Sequence, residues 1–281
     1  MQDRVKEGVD YIKLMHESGT VLGQHFNMPS IELQKAVIAE AHKHNLRVVA
    51  HATCYQDTLD ILEAGVDGLT HCFIDRVIDD RLIAAYTKNG AHLNPTLATM
   101  GSGTSEGKAV QERFAHDPRV KKLMGDAERD RMCMCMAFMN AAGAKQSNAF
   151  ETVRRLKKEG IEILWYVSHV HEISSKPVLT MCDSGSDAAG PAVGTAYGVT
   201  MHHELSLFVD ECGFTPEEAL RSATSLPARR FRFSDRGLIK EGLRADLVLV
   251  EGNPLEDISH TLDLRGVWSQ GHLCTTYKAL A

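Results

Sequence analysis

Between residues 9 and 98 the chain alternates short apolar runs with helix-patterned stretches, and this alternation restricts its fold more than any other feature. VDYIKLM (9–15), LRVVAHA (46–52), VDGLTHC (66–72) and AHLNPTLA (91–98) read as strands, and GIEILWYV (160–167) resumes the pattern later. Between them lie IELQKAVIAEAHKHN, opened by Ser30 as a cap and closed at Asn45, then QDTLDILEAG, stopped by Gly65, and residues 79–89, ended by Gly90. Each has apolar residues at helical spacing between start and stop signals. Strand–helix–strand repetition predicts parallel βα units. The nearly continuous apolar part of LRVVAHA suits a strand covered on both faces.

A polar, largely helical excursion follows over residues 101–160, with a Met/Cys-rich stretch at 132–139 that reads as a core-facing helix. Cys133 and Cys135 form a C-x-C with no second pair nearby, so helix packing accounts for them better than a soft-metal site. VTMHHELSLFVDECG reads as an amphipathic helix, and Thr215-Pro216-Glu217-Glu218 opens another with a capping box. The tail, GLRADLVLVEGNPLEDI and LRGVWSQGHLC, has the pattern of short antiparallel strands. The expected organisation is therefore a barrel-type α/β domain over residues 1–235 and a small β segment over 236–281.

Composition narrows the function class. A net charge of −6 argues against a nucleic-acid binder, which carries a basic stripe. No apolar run approaches the roughly 18 residues of a membrane span, and MQDRVKEGVD has no signal-like apolar core. Seven scattered cysteines, an odd number, point to reduced thiols and a cytoplasmic setting rather than a disulfide framework.

Histidine is the unusual residue: there are 14, and their positions matter more than their number. Lys13 in YIKLM, His51 in VVAHA and His71 in GLTHC fall at the ends of successive predicted strands. In a parallel βα barrel those ends converge on one face, where active sites lie. Imidazoles from adjacent strands can share a metal there, and Asp187, in the glycine-rich SGSDAAG, follows a later strand to the same face. A carboxylate so placed can ligate a metal and accept a proton from water. Taken singly, each histidine would be a satisfied core residue, Lys13 an ion-pair member and Asp187 a turn residue; their common placement carries the functional reading.

DYIKLMHESGT, VVAHAT, AGVDGLTH, GSDA and the tail TPEEALRSATSLPARRF…DRGLIKEGLRADLVLVEGNPLEDI together resemble the amidohydrolase superfamily, in its imidazolonepropionase-like and Xaa-Pro-dipeptidase-like subgroup, from residue 8 to about 271. The resemblance implies a (β/α)8 TIM barrel with a small C-terminal β appendage. It implies a divalent metal site, one or two ions and usually zinc, in which a carboxylated Lys13 bridges the metals, His51 and His71 bind one, and Asp187 binds the other and acts as general base. The implied reaction is hydrolysis of a C–N bond in a small amide, cyclic amide or dipeptide-like substrate.

Two departures stand against that pattern. The family's first strand supplies an H-x-H pair, whereas strand 4 of its pattern begins here about ten residues from Met1, so the expected barrel is incomplete, strands 4–8, with exposed edges that favour self-association. Secondly, YVSHVHEISSKPVLTMCDS separates GIEILW from GSDA, which reads as an insertion foreign to the family. It contains His169 and His171, an H-x-H too close to PVLTM for a parallel crossover, and makes Asp183 a rival to Asp187. Three readings stay open: a two-metal hydrolase, a one-metal site of His51, His71 and Asp187, and a catalytically inactive truncated barrel that binds, oligomerises or is a fragment of a longer gene product. His203 in HHEL supports the site or packs beside it, and His16, His25, His42, His44, His92 and His116 read as solvated or structural residues on loops and helix faces.

Overall fold

Four strands, β1 (Tyr11–Met15), β2 (Arg47–His51), β3 (Gly68–Thr70) and β4 (His92–Asn94), lie side by side in that order, all parallel. The computed structural model describes residues 1–165 and 193–274. The register sets Met15 beside His51 and His51 beside Thr70, so the strand ends form a level row. A parallel bridge from Leu93 to Ile163, with Leu164 N–H donating to the Leu93 carbonyl at 2.8 Å, carries the parallel order on to the segment after β4. The chain divides into two units, Met1–Glu106 with Met136–Leu164, and Gly107–Cys135 with Trp165–Ala281.

The first unit follows its sequence signals closely. Val48, Val49 and Ala50 are all fully buried, as the unbroken apolar run of β2 requires of a strand packed on both faces. The crossover helix Ile31–Lys43 opens where Ser30 Oγ accepts from Leu33 N–H at 3.2 Å. The helix Asp80–Asn89 opens on Asp79, whose carboxylate accepts from Leu82 N–H at 3.1 Å, and stops at Gly90 with φ of 56°. Leu59, Ile61, Leu69, Leu82, Leu93 and Leu97 fill the space between helices and sheet with no exposed surface. Gly68 on β3 faces His92 on β4, a fully buried ring whose Nδ1–H donates to the Asp67 carbonyl at 2.9 Å.

Three expectations need correction. The strand expected over 91–98 is confined to His92–Asn94, and a helix, Leu97–Thr104, starts almost at once. Pro95 has no N–H to continue the ladder, and Thr96 turns the chain with φ of 50°. The run at 160–167 contributes the bridge at Ile163, and its last two residues lie outside the described ones. The Met/Cys-rich stretch is not one helix: Asp126–Met132 ends at Cys133, and residues 136–139 are irregular. Their N–H groups are used elsewhere, Ala137 and Met139 donating to the carbonyls of Ser102 and Gly103. Those carbonyls end the helix Leu97–Thr104, whose last turn leaves acceptors without helical partners.

The second unit is helical around a cluster of Ala115, Val120, Met124, Met132, Val199 and Leu262. Its helix Pro216–Ser222 carries the expected capping box, with Thr215 Oγ1 accepting from Glu218 N–H at 3.2 Å and Glu218 Oε2 accepting from Thr215 N–H at 2.8 Å. The tail forms the expected antiparallel strands, β5 (Leu247–Val250), β6 (Leu264–Ser269) and β7 (His272–Leu273), in the order β5-β6-β7. Arg119 ties the unit together, its guanidinium donating to Asp117 at 2.8 Å and Asp263 at 3.0 Å. Among the described residues, no helix is long and apolar enough to cross a membrane.

Candidate functional site

The row of strand ends in the first unit brings together two of the four residues singled out in the sequence, His51 and His71, whereas Lys13, expected at a strand end, lies two residues before the end of β1, where Met15 takes the place beside His51. His51 is the last residue of β2, and His71 follows the last residue of β3. Their ring centroids are 4.5 Å apart with the rings at 75°, an edge-on pair. Lys13 stands on β1 opposite Val49 and is solvent-exposed, and its charge reaches His71. Asp187, its rival Asp183, and the pair His169 and His171 lie outside the described residues. Among the described residues, no group of three or more His, Cys, Asp or Glu is placed to hold a metal. What they bring together is two imidazoles.

His71 sits in strained backbone. Its φ is 73°, as though it stood in a turn rather than beyond a strand, and its N–H donates to the Asn94 carbonyl at 2.9 Å. Its ring is fixed by Nδ1, 2.8 Å from Oγ1 of Thr96, itself fully buried and also at positive φ. Two non-glycine residues held in the left-handed region and bonded to each other mark a place where the fold overrides local preference. Burial holds His71 well below the ordinary histidine pKa, and the Lys13 charge acts the same way. The ring is therefore neutral near pH 7, the form in which imidazole binds metals.

One residue of this cluster went unnoticed in the sequence. Glu17, on the loop after β1, approaches His51 with Oε2 3.2 Å from Nε2, and the same oxygen accepts from Thr53 Oγ1. Oε1 accepts from Gly19 N–H at 2.7 Å. Burial pushes this carboxylate up, but hydrogen bonds from His51, Thr53 and Gly19 outweigh it and hold the pKa below its ordinary value. The available signal was its position, four residues beyond Lys13 at the end of the same strand.

The remaining histidines divide by burial. His16 is buried, not solvated, with Nδ1 accepting from Gln34 Nε2 at 2.9 Å. His92 stands in β4 rather than on a loop or helix face. Cys133 and Cys135 have thiol pKa values raised chiefly by burial. His202 and His203 begin the second turn of the helix Val199–Asp210, both buried, with His203 stacked on Phe114 at 4.9 Å. Neither ring nitrogen of His203, nor Nδ1 of His202, has a hydrogen-bond partner among the described residues.

Burial lowers both from 6.5 to about 4, with the Arg119 charge contributing at His202. The unfolded chain takes up a proton at each below pH 6.5, while the folded chain refuses it until pH falls to about 4. Stability is complete above the first value and is lost on descending to the second, at roughly 3 kcal/mol per histidine. Thermal melts between pH 7 and 4 should show this loss, and H203L should flatten it by removing two buried ring nitrogens. An unchanged slope in H203L would count against the assignment.

Comparison with known proteins gives this site a context. The model of the amidohydrolase family matches residues 2–274. An imidazolonepropionase of Deinococcus deserti is 37% identical over 70 residues, 24% of this chain and 18% of that protein. The structure of a Xaa-Pro dipeptidase with bound methionine superposes with a TM-score of 0.64 at 22% identity, covering 97% of this chain and 56% of the other. A putative prolidase from Bifidobacterium longum gives 0.64 at 24% identity, covering 98% and 57%. The chain thus spans a little over half the length of the solved structures it resembles.

Proposed function

The chain belongs to the amidohydrolase family and shares its TIM-barrel-type α/β fold, and from that premise we propose that it is a metal-dependent hydrolase of C–N bonds in small amide, cyclic amide or dipeptide-like substrates. The observation that carries this reading is the meeting of His51 and His71, their ring centroids 4.5 Å apart, at the ends of adjacent parallel strands. The donor set suits a divalent metal of borderline softness such as zinc: two imidazoles, one of them kept neutral by burial. His51, His71, a carboxylated Lys13 and Asp187 would hold one or two ions. When bound, the metal would polarise the scissile carbonyl and lower the pKa of water.

The chain's own residues supply the rest. His71 is anchored through Nδ1 by Thr96, so Nε2 is the atom it would present. Asp187 would accept the proton of the attacking water and return it to the leaving nitrogen, as a carboxylate beside a metal can. Lys13, exposed on β1, has the access to solvent that carboxylation needs. The division near residue 235 between barrel and small β segment, a cytoplasmic setting and a small-molecule substrate belong to the same proposal. Family membership supports this reading over a catalytically inactive barrel kept for binding.

Elemental analysis of the purified protein tests it. Between one and two zinc equivalents per folded protomer are expected, with amide hydrolysis lost on chelation and restored by added zinc. A cooperatively folded protein that takes up neither zinc nor manganese would overturn the reading.

A further inference from the structure

We propose that Glu17 is a positioning residue for His51: it fixes the Nε2–H tautomer of that ring and so presents Nδ1 to a divalent cation. A carboxylate offers only acceptors, so the 3.2 Å approach of Oε2 to Nε2 is a hydrogen bond only if Nε2 carries the proton. A neutral imidazole then has its lone pair on Nδ1. The partner of a metal-binding ring decides in this way which nitrogen meets the metal.

The surroundings show that Glu17 is built in. Its side chain is only 10% exposed and that of His51 18%. Thr53, on the segment after β2, donates its hydroxyl to Oε2, and Gly19 N–H holds Oε1 at 2.7 Å. Gly19 reaches that position because its φ is 85°, where a Cβ would meet the Gln24 carbonyl oxygen at 2.9 Å. Ser18 N–H donates to Asp57 Oδ2 at 2.8 Å, which pins the loop to the helix Tyr55–Glu63. Three separate bonds therefore hold the loop and aim its carboxylate at one ring nitrogen.

The tautomer claim concerns the metal-free protein; the cation claim rests on the reading of His51 as a ligand. The experiment separates them. Long-range proton–nitrogen spectra of histidine-labelled, metal-free protein, with His51 assigned from H51Q, should show that ring as the Nε2–H tautomer. In E17A, and in E17Q if E17A fails to fold, the ring should pass to a mixture of tautomers. Glutamine has one acceptor oxygen, so it cannot serve His51, Thr53 and Gly19 together. An Nδ1–H ring in the parent protein, or an unaltered spectrum in a folded Glu17 variant, overturns the positioning role.

Zinc affinity is measured on the same proteins by competition with a chelator. A 10- to 100-fold loss is expected in the Glu17 variants, the scale of an outer partner's contribution, and a larger one in H51A. If H51A binds zinc as tightly as the parent, the ligand reading of His51 fails, and with it the presentation of Nδ1 to a cation, while the tautomer spectra still decide the role of Glu17. If H51A loses zinc but folded Glu17 variants keep full affinity, the cation claim fails alone.

Discussion

Gly68→Ala is expected to be the most damaging single methyl in the first unit, lowering stability by about 3 kcal/mol or more. A Cβ on Gly68 would lie 2.0 Å from Cε1 of His92, 2.3 Å from Nδ1 and 2.5 Å from Nε2, so the whole ring must move. The ring has nowhere easy to go. It is fully buried, and its Nδ1–H is spent on the Asp67 carbonyl at 2.9 Å. Rotation therefore costs a buried hydrogen bond as well as a clash, and either alone is worth one to three kcal/mol, roughly. The two strands pair at these very residues, so backbone relief would break the register that levels the strand ends.

A double-mutant cycle isolates the cause. H92A alone opens a cavity and destabilises, yet it makes room for the methyl. G68A/H92A should then be more stable than the sum of the single effects by about 2 kcal/mol, in the range measured for residues in contact. Urea unfolding of the four proteins reads this directly. Additive effects would mean that the His92 ring does not rest on Gly68.

How far the sequence announces this arrangement depends on whether the deciding partner is local. β2 is legible because a strand buried on both faces must be apolar throughout, and Val48, Val49 and Ala50 have no exposed surface. The helix starts at Ser30, Asp79 and Thr215 are legible for a similar reason, since each cap bonds an N–H within the next three residues. The early end of β4 turns on Pro95, whose effect the apolar run around it masks. The stretch after Met132 misleads because its composition is helical while its partners, Ser102 and Gly103, lie 35 and 36 positions earlier.

The site shows the same divide. The strand pattern groups Lys13, His51 and His71; the structure brings the two ring centroids to 4.5 Å and sets Lys13 two residues short of the end of β1. Glu17 and Thr96 escape notice because their partners lie 34 and 25 residues away along the chain, a relation no spacing rule records. Position on a shared face is legible; the hydrogen bonds that orient the rings are not.

His71→Asn is expected to remove at least 100-fold of zinc affinity and of C–N hydrolysis, beyond the 10- to 100-fold typical of an outer partner, while leaving the fold standing. The choice of asparagine follows from the backbone. At φ of 73°, alanine would be strained, whereas asparagine is among the few non-glycine residues that adopt the left-handed region readily. A loss seen in H71N therefore reports the imidazole rather than a collapsed turn. Thr96→Val provides the complement: it keeps the ring and deletes the hydroxyl 2.8 Å from Nδ1, so affinity should fall by less than in H71N. If H71N folds and retains full zinc affinity, His71 is a core histidine that the turn happens to hold beside His51. If H71N loses the metal and T96V loses part of it, the strain at His71 and Thr96 is explained, because a left-handed turn is what carries the ring from the end of β3 towards its neighbour on β2.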